Sequence, residues 1–123
     1  MLEVGLKYTS SVVVEKSNCA SAVGSGGLDV FATPSMVALM ENAAMNAVAS
    51  HLPEGSTTVG SQINVVHSKP SGIGAVIAAT AELVAVEGRR LQFKVVAEDG
   101  TGVIGDGTHV RYIVDIERFL SKL

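Results

Sequence analysis

A single long helix followed by strands, joined by turns too short for crossovers, is the pattern that most limits what this chain can fold into. The helix announces itself at Thr33-Pro34, which opens the run TPSMVALMENAAMNAV. Thr is a good N-cap, and Pro suits a first helical turn because its missing N–H has no partner there anyway. The pattern predicts a helix to about His51, with Pro53 and Gly55 beyond it as stop signals. After that the chain turns strand-like: TTVGSQINVVH over 57–67, the KPSG turn, GAVIAATAELVAVE over 74–87, then GRR. RLQFKVVAE over 90–98 alternates, with Leu91, Phe93, Val95 and Ala97 on one face. Asp99-Gly100 signals a hairpin, THVRYIVDI over 108–116 a last strand, and ERFLSKL a short helical tail. Before the helix, residues 3–15 predict a first strand, and 16–32, with GSGG at 24–27, an irregular segment. Short turns favour antiparallel pairing, and one helix can cover one face of such a sheet. The expectation is one α+β domain over residues 1–123, a curved antiparallel sheet wrapped on one long helix.

Composition narrows the class. At 123 residues and 47% hydrophobic content, the chain has enough apolar side chains for a packed core. The net charge is −3 and the nine Lys and Arg are scattered, which argues against a nucleic-acid surface. The N-terminus MLEVGLKYTSS lacks the apolar core of a secretory leader, and no run is long enough to span a membrane. One cysteine, Cys19, excludes an internal disulfide and fits a reducing compartment. These readings predict a cytoplasmic protein without nucleic-acid or membrane partners. A lone cysteine can be a nucleophile, but a buried or incidental thiol is the commoner case.

Residues 100–105, GTGVIG, match GxGxxG. That pattern binds a pyrophosphate only where a helix follows, and here GTHVRYIVDI follows, which is strand-like. The run reads as a Gly-rich hairpin with a bulge. No Walker sequence, HExxH or metal-ligand spacing is present, so neither a metal nor an organic cofactor is expected.

Glu41 is the residue that asks for a function. On a helical wheel, Ser35, Asn42, Asn46 and Ser50 form a wet side, and Glu41 falls away from it among Val37, Ala38, Ala44 and Met45. The wheel predicts a carboxylate pointing into the protein. A carboxylate there is costly unless paired, neutralised or tuned for catalysis. A structural ion pair and a catalytic acid or base both fit this pattern. His67 ends the strand SQINVVH on the face of Ile63 and Val65, which predicts that it and Glu41 converge. Thr33 lies about two turns before Glu41, so the two are expected to border one pocket without touching.

The runs FATPSMVALMENAAMNAV, VGSQINVVHSKPSG, TAELVAVEGRRLQFKVVAEDG and GDGTHVRYIV together resemble the fluoroacetyl-CoA thioesterase-like family of hotdog-fold proteins. The likeness covers about residues 4–117. It implies a hotdog fold and a hydrolase acting on an acyl-CoA, without metal or bound cofactor. It implies homodimers with the site at the subunit interface, so that His67 and Glu41 meet across chains, and leaves tetramers open. Catalytic roles carry over to Thr33, Glu41 and His67, and substrate contacts to Gly60 and Arg111. Without it, Gly60 reads as a strand-start bulge and Arg111 as an exposed strand charge. The fluoroacetyl-selective form carries bulky aromatics ahead of the helix. Here SAVGSGGLDVF holds only Phe31, which points to a more general short-chain acyl-CoA thioesterase. The rival readings are a non-catalytic acyl-CoA binding module, a hotdog enoyl-CoA hydratase, and a purely structural oligomer.

Overall fold

The computed structural model describes residues 2–123. In chain order it has strand β1 (Lys7–Val13), a short helical turn α1 (Ala20–Val23), the long helix α2 (Thr33–Ala49), and strands β2 (Ser56–His67), β3 (Val76–Glu87), β4 (Arg90–Glu98) and β5 (Val103–Asp115). Helix α3 (Ile116–Leu120) closes it. The first strand is shorter than the sequence predicts, the last longer, and 16–32 carries a 3-10 turn (Lys16–Asn18) and α1. Both the hairpin at Asp99-Gly100 and the helical tail form. Asp99 Oδ1 accepts from the backbone of Thr101 and Gly102, and Gly100 takes a positive φ of 89°. The ladder slips between Ala97 and Glu98, as a bulged GTGVIG hairpin requires.

All strand pairs are antiparallel, in the order β1-β3-β4-β5-β2. The sheet curls over α2. One face of that helix supplies Met36, Met40, Ala43, Ala44, Ala47 and Val48 to the core. Leu91, Phe93, Val95 and Ala97 meet it from β4, all fully buried, as their alternation predicts. Burying a large side chain of this kind contributes about 1.5–3 kcal/mol. The small residues on α2 matter too, because Ala43, Ala44 and Ala47 let the sheet approach the helix closely.

Two features of this fold place the site. First, β2 is a sheet edge: one side pairs with β5, and the other has no neighbour among the described residues. Second, β2 carries a bulge between Gly60 and Gln62. Side chains alternate faces along a strand, so a regular strand would put Gly60 and His67 on opposite sides. The extra residue resets the alternation. Thr58 before the bulge and Val65 and His67 after it are all buried or half-buried.

Candidate active site

Thr33 is the first residue of α2, but it does not cap the helix. Ala32 occupies the N-cap position in extended backbone, its carbonyl taking the Met36 N–H, and no side-chain cap is present. This corrects the role expected from sequence. The Thr33 hydroxyl is hydrogen-bonded instead to His67 Nδ1 at 2.8 Å. The two residues line a hollow of about 270 Å³ with Val30, Ala32, Ser68 and Lys69. The other ring nitrogen, His67 Nε2, is buried and has no partner among the described residues. Lys69 pairs with Asp99 at 2.7 Å, which ties the segment after His67 to the β4–β5 hairpin and holds the Asp99 carboxyl below its usual range.

Glu41 sits on the flank of α2 rather than on its core face. It is half-buried, a correction to the inward orientation expected from the wheel. The wheel gives an azimuth on the helix. It does not say where the curled sheet stops, and Glu41 lies at that margin. It faces Gly60 on β2 and Arg111 on β5, which are paired across the ladder. A methyl group placed on Gly60 would lie 3.0 Å from Glu41 Oε2, 3.2 Å from His109 Cε1 and 3.4 Å from an Arg111 terminal nitrogen. Only glycine leaves that space open. Ala38, Glu41, Met45, Thr58, Gly60 and Arg111 line an open hollow of about 440 Å³.

Arg111 is buried, at 7% exposure, and not the surface charge that its strand context alone suggested. Its Nε donates to Thr58 Oγ1 at 2.7 Å and one terminal nitrogen to the Thr58 carbonyl at 2.8 Å. Its other terminal nitrogen lies 3.2 Å from His109 Nε2. Burial works against its charge and the nearby Glu41 favours it. This gives a fixed cation, a carboxylate and a backbone strip without side chain, all facing one open space. Such a set can bind a polarised carbonyl and deliver a base or nucleophile to it.

Within one chain the five expected residues thus form two groups. Thr33 and His67 are together, and Glu41, Gly60 and Arg111 are together. The expected convergence of His67 with Glu41 is not made inside the single chain, since each lines a different hollow. Thr58 and His109 join this site without standing out in the sequence. The signal for His109 was present in GTHVR, because residues two apart on a strand share a face. A third hollow, between β1 and α2, mixes polar and apolar side chains and holds none of the expected residues. There Ser10 Oγ donates to Asn42 Oδ1 at 2.7 Å.

Residues 14–117 match the family described as fluoroacetyl-CoA-specific thioesterase. The chain belongs to this family. A fluoroacetyl-CoA thioesterase of Streptantibioticus cattleyicolor is 44% identical over 95 residues, covering 77% of this chain and 68% of that protein. Among solved structures, the fluoroacetyl-CoA thioesterase FlK superposes with a TM-score of 0.92 at 37% identity, covering 99% of this chain and 95% of that one. A hot-dog-like protein from Thermanaerovibrio acidaminovorans shares the fold, with a TM-score of 0.88 at 24% identity over 97% of this chain and 88% of its own. The fold of this family member is therefore the hotdog, as expected.

Cys19 is fully buried, at the base of α1 and bridged through backbone to Phe31. Its side chain lines none of these three hollows. Cys19→Ser is expected to keep the full rate of whatever reaction the site performs, at some cost in thermal stability from a hydroxyl placed in the core. A large loss of rate in a folded Cys19→Ser protein would return the thiol to the list of nucleophiles. Phe31, the one aromatic of SAVGSGGLDVF, is itself a core residue at 2% exposure.

Proposed function

We propose that this protein hydrolyses short-chain acyl-CoA thioesters to the free acid and CoA. The observation that carries the reading is the Glu41 carboxylate set against Gly60 and Arg111 on the wall of an open hollow. Membership of a thioesterase family supplies the substrate class. In this reading Glu41 attacks the thioester carbonyl, giving a transient anhydride, or removes a proton from the attacking water. Either way water is consumed, the C–S bond breaks, and the thiolate leaves with a proton. The Gly60 backbone N–H polarises the carbonyl and Arg111 binds the substrate at the site edge. His67 passes protons between the reacting groups, and the Thr33 hydroxyl bonded to its Nδ1 orients it.

The same reading needs a second copy of the chain to unite the two groups. β2 presents an unpaired edge with Ile63 at 37% and Val66 at 64% exposure, and such an edge is a template for pairing with another chain. The buried, unpartnered His67 Nε2 also supports it, because a ring nitrogen left so is costly. A homodimer that brings His67 of one chain towards Glu41 of the other is the assembly proposed. The segment before α2 offers no aromatic but Phe31, which is packed in the core at the wall of the Thr33–His67 hollow, so the acyl pocket is read as general for short chains rather than selective for fluoroacetyl.

The test is to incubate the protein with a panel of short acyl-CoA esters, fluoroacetyl-CoA included, and follow free CoA by chromatography, with the mass taken by light scattering. Release from several esters by a dimer is the expected result. Intact esters across the panel, with the protein folded, would move the reading to a binding module. Hydration of crotonyl-CoA without CoA release would move it to a hydratase.

A further inference from the structure

We propose that His109 is a positioning residue, whose neutral ring aims the Arg111 guanidinium and clamps the β2 bulge beside Gly60. The inference rests on the reading of Arg111 and Gly60 as substrate contacts.

His109 and Arg111 are two apart on β5 and so share the inner face. His109 is 1% exposed. Its Nδ1 lies 2.8 Å from the Gln62 carbonyl. A carbonyl can only accept, so Nδ1 carries the proton. Its Nε2 lies 3.2 Å from an Arg111 terminal nitrogen. A guanidinium can only donate, so Nε2 presents a lone pair. One neutral tautomer satisfies both contacts, and a second proton would set N–H against N–H.

The surroundings favour that state. Phe93 on β4 packs 6.2 Å from the ring centre and brings no charge. Arg111 on the same strand opposes protonation, while Glu41 from α2 and the Gln62 carbonyl from β2 favour it. Burial is the largest influence, and the net effect lowers the ring's affinity for a proton. Gln62 is the first residue beyond the bulge, so the Nδ1 bond also holds the backbone two residues from Gly60. The sequence GTHVR thus places a ring between the substrate-facing arginine and the strand that carries the glycine.

The test is a double-mutant cycle on kcat/KM for a short acyl-CoA, with wild-type turnover as the control that tests the thioesterase reading itself. His109→Asn keeps a donor near Nδ1 and removes the acceptor for Arg111. It is expected to lower kcat/KM on the order of tenfold, and by less than about twofold when Arg111→Met is already present. His109→Gln, whose carbonyl oxygen reaches the Nε2 position, should recover part of the loss. Equal losses in both backgrounds would reduce His109 to a packing residue. Nitrogen-15 NMR of the wild-type ring tests the tautomer on which the proposal depends, without any variant or any turnover. A proton on Nδ1 and none on Nε2 at neutral pH is expected, and a proton on Nε2 overturns the proposal.

Discussion

Glu41→Gln is expected to lower acyl-CoA hydrolysis by about 100- to 10,000-fold, the usual range for a positioned acid–base group, and to leave the fold intact. The two side chains have the same shape. Gln keeps the contacts on the flank of α2 beside Gly60, so the hollow keeps its form. What it loses is the negative charge, and with it the basicity and nucleophilicity that an attack or a proton transfer needs. The neighbours are then unbalanced: Arg111 is buried and Glu41 is the group that favours its charge. That makes a modest shift in melting temperature acceptable and a collapsed fold unexpected. Free CoA followed by chromatography, beside circular dichroism of the same sample, separates the two. A Glu41→Gln protein that turns over at the wild-type rate would remove Glu41 from the chemistry.

The second large effect is on the fold. At Gly107, on β5 opposite Val65 of β2, a methyl group would overlap the Asn64 carbonyl oxygen and lie 2.7 Å from Val65 Cα. These are backbone atoms of the paired strand and cannot swing aside. The φ of Gly107 is not positive, so the requirement is for space and not for a left-handed conformation. Gly107→Ala must push β2 off β5 or tear the ladder. A loss of about 3 kcal/mol or more is expected, the upper end for overpacked sites. Gly27→Ala, with open space around it, is the control and should change stability by less than about 0.5 kcal/mol. Urea unfolding measures both. Coincident midpoints for Gly107→Ala and wild type would show that the ladder yields more easily than this geometry allows.

Much of this architecture is legible in residue order. The alternation of Leu91, Phe93, Val95 and Ala97 needs no tertiary information, because a half-buried strand has no other way to arrange its side chains. Thr33-Pro34 and the Pro53 and Gly55 stops bracket the helix for equally local reasons. The site is only partly legible. Its residue types are visible, but their grouping is not. Gly60 inside TTVGSQINVVH is a local sign of the bulge that forms there, but it does not say which residues of β2 the bulge turns inward. Glu41 lies shallower than the wheel predicts because a wheel fixes directions around the helix and not the extent of the sheet that meets it. The role of Thr33 is not local either, although Thr is a common helix cap. What it does depends on where the end of β2 arrives, some thirty residues later in the chain.

That last point has a consequence for how such a site can drift. Because backbone at Ala32 begins the helix, the Thr33 hydroxyl contributes nothing to α2 that another side chain could not replace. A selection that scores only expression or folding would therefore be blind at position 33, while it would reject almost any change at Gly107. The scaffold of this fold is guarded by its own stability. Under the proposed reaction the Thr33–His67 pair is kept by its part in turnover, and a copy of this chain released from that use would lose the pair first and keep its shape.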